Sequence, residues 1–189
     1  MHISFKMMKK DLREEIEIPE GVSASVVNNE MIIKNDNGEL KRKMSPRVNT
    51  KIEGNKIILE AKQANKNKKK MFGTMVAHVK NMVRGLTEKF QYKLQIANVH
   101  FPMTAEHDKN KNELVIKNFL GERKDRRIKL VEGVDIKIDK ENIELESIDI
   151  EKAGQCAANI EKGTKVRNKD RRIYQDGIFI VEKPGRKFH

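Results

Sequence analysis

Asn29-Glu30-Met31-Ile32-Ile33-Lys34-Asn35 returns 83 residues later as Asn112-Glu113-Leu114-Val115-Ile116-Lys117-Asn118, with every apolar position kept apolar. Each copy is followed, after the same gap, by a Gly-Glu pair, Gly38-Glu39 and Gly121-Glu122. Further along, Lys56-Ile57-Ile58-Leu59-Glu60 parallels Asn142-Ile143-Glu144-Leu145-Glu146, and one helical pattern follows in each half. An ordered series of matches at a fixed period marks a repeated structural unit. A chain of 189 residues has room for two small domains. The expected fold class is therefore α+β, two tandem duplicated domains, each of short antiparallel strands packed around one α-helix. They are placed at residues 1–97 and 98–189, with the boundary where Pro102 interrupts the pattern.

Local patterns fill in each copy. Val22, Ala24 and Val26 alternate with polar residues, as do Val134, Ile136 and Ile138, and Val48 and Ile52 less regularly. Such alternation gives a strand one buried and one wet face. Asn37-Gly38 predicts a tight hairpin between strands around Ile32 and Leu40, and Asp176-Gly177 a second between Ile173 and Ile178-Phe179-Ile180-Val181. Phe72, Met75, Val76, Val79, Met82, Val83, Leu86 and Phe90 recur at helical steps, predicting a helix over about residues 69–89. A second, over about residues 149–162, places Ile150, Ala153, Ala157 and Ile160 on one face, with Asp149 as N-cap and Gly163 as its stop. Its small residues let it approach a sheet closely.

Composition bounds the function. No apolar run approaches the roughly 20 residues that span a bilayer. The start, MHISFKMMKK, lacks the apolar stretch of a secretory signal, and Met7 or Met8 would serve equally well as the first residue. The single cysteine, Cys156, excludes an internal disulfide and a zinc site of paired cysteines. A cytosolic chain is expected. The net charge of +12 and pI near 9.7 call for an anionic partner, because self-repulsion of excess charge opposes a compact state. Membrane lipid would ask for a basic amphipathic helix with bulky apolar anchors, and none is apparent. Lysine serving solubility alone is the bland alternative; a polyanion held by phosphate contacts and counterion release is favoured.

No catalytic constellation emerges. His2, His78, His100, His107 and His189 show no paired metal-ligand spacing, and His78 reads as structural or RNA-facing. Cys156, on a helix of small residues, reads as a buried thiol. There is no glycine-rich phosphate loop or dinucleotide fingerprint, and Asp135, Asp139 and Glu141 lack the rest of a calcium loop. No enzyme activity, cofactor, metal or small-molecule substrate is expected.

The basic clusters carry the expectation instead. Lys62, Lys66, Lys68, Lys69 and Lys70, with Asn65 and Asn67, form an acid-free run expected as an extended loop, either RNA-binding or merely solvated. Arg123, Lys124, Arg126 and Arg127 are diluted by Glu122 and Asp125. Lys165, Arg167, Lys169, Arg171 and Arg172 follow the second helix, interleaved with Asn168 and Tyr174. The tail Lys183-Pro184-Gly185-Arg186-Lys187-Phe188-His189 is expected to lack secondary structure, ordering on nucleic acid or fraying in solvent. Arginines and lysines suit phosphate, and Tyr174 or Phe188 could stack on an exposed base. With 5% aromatics, charge and shape must dominate over stacking. On these residues alone an RNA-binding protein and a carboxylate hydrolase or nuclease both stay open.

Two motifs narrow this. Asn81-Met82-Val83-Arg84-Gly85-Leu86-Thr87-Glu88-Lys89-Phe90 resembles the helix-end signature of the large-subunit ribosomal protein six family. Ala157-Ala158-Asn159-Ile160, followed by Val166-Arg167-Asn168-Lys169-Asp170-Arg171-Arg172-Ile173-Tyr174-Gln175-Asp176-Gly177-Ile178, is similar to the second-domain motif of its archaeal and eukaryotic branch. The bacterial branch's lysine- and glycine-rich motif is absent, and the resemblance covers about residues 16–185. It implies two similar α/β domains and binding to large-subunit rRNA, mainly through the second domain, near the sarcin-ricin loop and the stalk base. It further implies neighbouring ribosomal proteins as partners and translational GTPases nearby. Carried over by position, the implied RNA contacts are Lys165, Arg167, Lys169, Arg171, Arg172 and Tyr174, then Lys183, Arg186 and Lys187 of the tail. Lys68, Lys69, Lys70 and Arg84 are weaker candidates.

Overall fold

The computed structural model describes residues 10–188, so His2, His189, Met7 and Met8 lie outside the described residues. The chain forms two compact units, Met1–Glu88 and Lys89–His189. The sequence reading places the division after Ala97 instead. The difference has a physical cause. Strand Phe90–Ala97 pairs antiparallel with two later strands, so it opens the second unit and does not close the first.

The first unit runs β1 (Lys10–Glu17), β2 (Ser23–Val27), β3 (Glu30–Asn35), β4 (Gly38–Lys43), β5 (Asn49–Glu53), β6 (Lys56–Ala64) and α1 (Lys66–Thr87). Its sheets are ordered β1-β6-β5 and β2-β3-β4, with every pair antiparallel. Met31 and Ile33 of β3 and Ile57 and Leu59 of β6 are fully buried, with Val79 and Leu86 supplied by α1. The quoted repeat is thus a strand whose alternate side chains enter the core. Its hairpin turn centres one residue earlier than Asn37-Gly38, since Asn35 pairs with Gly38. Asn35 and Asn37 both donate from their side chains to Leu86 O, at 2.6 and 3.2 Å, fastening the hairpin to the end of α1. On β2 the alternation buries less than expected, and Val26 and Val27 remain exposed.

The second unit runs β7 (Phe90–Ala97), β8 (Thr104–Asp108), β9 (Glu113–Lys117), β10 (Arg126–Lys129), β11 (Asp135–Asp139), β12 (Asn142–Ser147), α2 (Ile150–Gly163), β13 (Gly177–Lys183) and β14 (Arg186–Lys187). A sheet β11-β12-β7-β13-β14 and a sheet β10-β9-β8 share a core of Leu94, Leu114, Ile116, Ile143, Leu145 and Ile178 with the α2 face of Cys156, Ala157 and Ile160. The duplication reaches to single side chains. Asn29 and Asn112 both take positive φ (64° and 51°) ahead of β3 and β9. Each accepts a backbone hydrogen bond at the matching place, from Met44 N and Leu130 N, and returns a side-chain bond to the same residue's carbonyl. Asparagine tolerates the left-handed region better than most residues, which is why it recurs.

Four local expectations are corrected. The lysine run is no loop: α1 begins at Lys66 because Asn65 caps it, accepting from Lys68 N at 2.8 Å, and lysine is a good helix former. Gly163 is the last residue of α2 and not its stop; Thr164 is the cap. Glycine permits a close approach there, since a Cβ would run into Ile128 Cδ1 and that side chain would have to shift. Asp176-Gly177 makes no hairpin, as Gly177 opens β13 and Ile173 lies in an exposed turn. The tail does have secondary structure: β13 and β14 pair across Pro184-Gly185, Gly185 taking φ +79°.

Candidate nucleic-acid interface

Between α2 and β13 the chain makes an irregular excursion over residues 164–176, and this holds the main basic cluster. Its origin is fixed from two sides. The buried Thr164 hydroxyl donates to Ile160 O (3.1 Å) and accepts from Ile178 N (3.1 Å), coupling the helix end to β13. Arg126 lies over the Phe119 ring at 3.8 Å and holds Glu122 with two bonds of 2.8 and 2.5 Å. The same guanidinium donates to Gly163 O (3.0 Å) and Lys165 O (3.3 Å). Arg126 thereby holds the Glu122 carboxyl below its ordinary range, although burial pushes the other way. This arginine is an anchor for the excursion.

The far end is fixed by Asp176, whose side chain is 1% exposed. Its Oδ1 accepts from Val99 N and His100 N at 2.9 Å each, and its Oδ2 from the His100 ring Nδ1 at 2.6 Å. Burial raises the carboxyl pKa, but the three donors outweigh it and leave Asp176 below the ordinary carboxylate range. His100 in turn stacks on Tyr174, with ring centroids 4.9 Å apart, and Lys169 Nζ lies 4.4 Å from the Tyr174 centroid. Asp170 closes the intervening turn, its carbonyl accepting from Ile173 N and Tyr174 N. A chain without regular secondary structure is thus pinned at both ends and in the middle.

What is pinned is positive. Lys165, Arg167, Lys169, Arg171 and Arg172 are all exposed along the excursion. Among the described residues, Lys165, Arg167 and Arg171 have no ion-pair partner, while Arg172 faces Asp170 at 3.7 Å with its side chain 93% exposed. Tyr174 is half-buried, its ring engaged by His100 and Lys169. Beside this segment lies a half-open cleft of about 660 Å³ with Lys165, Arg171 and Tyr174 among its lining residues.

The remaining candidates are distributed differently. Lys183 and Arg186 lie over the Phe188 ring, and Lys187 faces Glu182 at 3.5 Å, so the tail cations sit on the β13–β14 hairpin. Lys68, Lys69 and Lys70 belong to the first turns of α1, and Lys68 Nζ donates to Lys62 O at 2.8 Å. Arg84 is in the last turn of that helix, about 21 Å from Lys70 along its axis at 1.5 Å per residue. These four therefore form no single patch. His78, half-buried on α1, meets Arg42 at 3.0 Å. Cys156 is buried and its thiol is pushed up by that burial, which suits packing and not reactivity. Sequence reasoning missed the bracing roles of Asp176, His100 and Arg126, which act on backbone 37 to 77 residues away and leave no local signal.

Among the described residues no group of three or more acidic, histidine or cysteine side chains could hold a metal, and no helix is long and apolar enough to cross a membrane. Fold and site together define a class: duplicated α+β proteins that present a braced cationic segment. Comparison with known proteins names the family. Residues 18–89 and 104–177 match the family described as Ribosomal protein L6. The chain is 43% identical over 176 residues to the large ribosomal subunit protein uL6 of Methanococcus vannielii, covering 93% of this chain and 96% of that one. It is 42% identical to the uL6 proteins of Methanobrevibacter smithii (91% and 96% covered) and Staphylothermus marinus (89% and 93% covered). The chain belongs to the ribosomal protein L6 family, and it is a structural protein and not an enzyme. The hydrolase reading is thereby set aside.

Proposed function

We propose that this protein is a structural constituent of the large ribosomal subunit in the cytoplasm, where it binds rRNA chiefly through the excursion of residues 164–176. The contacts assigned to phosphate are Lys165, Arg167, Lys169, Arg171 and Arg172, with Tyr174 bracing the segment and Lys183, Arg186 and Lys187 extending it. Lys68, Lys69, Lys70 and Arg84 are secondary. The RNA is placed near the sarcin-ricin loop and the stalk base, bordering the site of translational GTPases, with other ribosomal proteins as neighbours. That placement follows the family resemblance. The observation that carries the RNA assignment is the exposed row of cations held on a backbone fixed by Arg126 and Asp176.

The mechanism is electrostatic clamping. Each phosphate neutralised releases condensed counterions, and a pre-ordered segment avoids the ordering entropy that a flexible basic tail would lose. Orientation follows from several cations at fixed spacing, and no turnover is involved. The test is sedimentation of tagged chain from cells. The protein should travel with large subunits through moderate salt. Most of the chain at the top of the gradient would favour a free-standing RNA module instead.

A further inference from the structure

We propose that the cleft beside the excursion receives an unpaired nucleotide of the bound RNA, so that the second unit reads a local RNA shape as well as clamping phosphate. The inference rests on the RNA-binding reading above and specifies what the same surface takes. The cleft's volume of about 660 Å³ falls within the roughly 300–1,000 Å³ typical of small-ligand sites. Its lining combines the apolar side chains of Val99 and Val166 and the Phe179 ring with Lys165, Arg171 and Tyr174; the Tyr174 ring is already engaged by His100 and Lys169, so Phe179 is the aromatic group left for a base. Flat aromatic and aliphatic walls beneath a cationic rim match a base joined to its phosphate, because a base stacks where a phosphate requires a cation. The lining carboxylates are Glu161 and Asp176. The two backbone N–H groups and the His100 ring that face Asp176 offset part of its charge, and Lys162 and Lys165 are among the same lining residues as Glu161. Val99 is 59% exposed beside the cleft, an uncovered apolar side chain next to a cationic segment.

The cleft is also pre-formed. The Thr164 and Asp176 hydrogen bonds hold β13, the end of α2 and residues 98–100 in place around it. Docking a base therefore needs no large rearrangement, which favours single unpaired nucleotides over continuous duplex, whose bases stay stacked. On stacking energetics a bulged RNA should bind about tenfold more tightly than the same stem fully paired.

The experiment uses large subunits carrying the full chain with one engineered thiol. Cys156 is the chain's only native cysteine and is buried, so the purified chain takes a benzophenone maleimide at the introduced surface cysteine before it is assembled into subunits. Val99→Cys places the crosslinker at the cleft, and Arg167→Cys places it on the basic segment. Crosslinked rRNA positions are read by reverse-transcription stops. The proposal expects stops from position 99 at one unpaired nucleotide and from position 167 at nearby backbone positions. Stops from 99 only in continuous helix, or crosslinks from 99 only to protein or solvent, overturn the cleft while those from 167 uphold the RNA-binding reading. No rRNA stops from either position overturn both. A Val99→Trp chain, which fills the cleft without disturbing a buried residue, should lose the preference for bulged over paired RNA and keep its duplex affinity. Retention of the preference would also reject the cleft.

Discussion

Replacing Asp176 removes one end of the brace that holds residues 164–176. The carboxylate accepts three hydrogen bonds, two from backbone N–H groups and one from the His100 ring, with a side chain 1% exposed. Hydrogen bonds to a charged group contribute about 1.5–3 kcal/mol each, though three on one carboxylate do not add fully. Asp176→Ala should therefore destabilise the second unit by about 3–4 kcal/mol. Asp176→Asn can keep the bonds that Oδ1 accepts and should lose about half as much. The protein supplies its own probe: it has no tryptophan, and both tyrosines, Tyr92 and Tyr174, lie in the second unit. Tyrosine fluorescence during urea unfolding thus reports on that unit selectively. For a domain of about 100 residues, 3 kcal/mol corresponds to a fall in Tm of roughly 10–20 °C. RNA affinity should fall with stability in the alanine variant and recover largely in the asparagine variant. A loss below about 1 kcal/mol for Asp176→Ala would refute the brace.

Other predictions follow from single side chains. Because the Asp176 carboxyl is depressed in the folded state, its contribution is complete above the unfolded aspartate pKa of about 3.9 and is lost as pH falls through the lower folded value. Acid titration of Asp176→Asn should accordingly show a shallower loss of stability below about pH 4 than the native chain. Asn29→Ala should cost the first unit about 1–2 kcal/mol, and Asn112→Ala less, because the Asn29 side-chain bond is 2.7 Å and that of Asn112 is 3.5 Å; equal costs in denaturant unfolding would contradict this. Gly163→Ala should destabilise by about 1 kcal/mol despite alanine's better helix propensity, since its Cβ meets Ile128. In an Ile128→Ala background the same change should become stabilising, a reversal of sign that a double-mutant cycle reads directly.

The repeat was legible because period and alternation are local properties. Met31, Ile33, Leu114 and Ile116 alternate in sequence and are fully buried in the fold. The helices were legible through their stripes, and Asp149 caps α2 through Glu151 N as its position suggested. What was not legible depended on distant partners. β7 belongs to the second unit because of pairings with β12 and β13, which no local pattern announces. The lysine run reads as a loop on polarity alone, although Asn65 stands in place as a cap. At the candidate interface the exposed cations were visible as a cluster, yet their backbone is set by Arg126 and Asp176, acting across 39 and 77 residues. Gly163 looks like a helix stop when its true constraint is the side chain of Ile128. A glycine gives the same letter for conformational freedom and for close approach.

We propose that the second unit's braced excursion, more than the α1 lysines, holds the protein on the ribosome. Two chains separate these directly: one with Lys165, Arg167, Lys169, Arg171 and Arg172 changed to serine, the other with Lys68, Lys69 and Lys70 so changed. Each is expressed beside the native chain, and its share of large subunits is measured on gradients over a range of salt. The first variant should be largely displaced, with a salt slope lowered by about one for each phosphate no longer neutralised, while the second stays bound. Full occupancy by the first variant, or displacement of the second alone, would contradict the proposal.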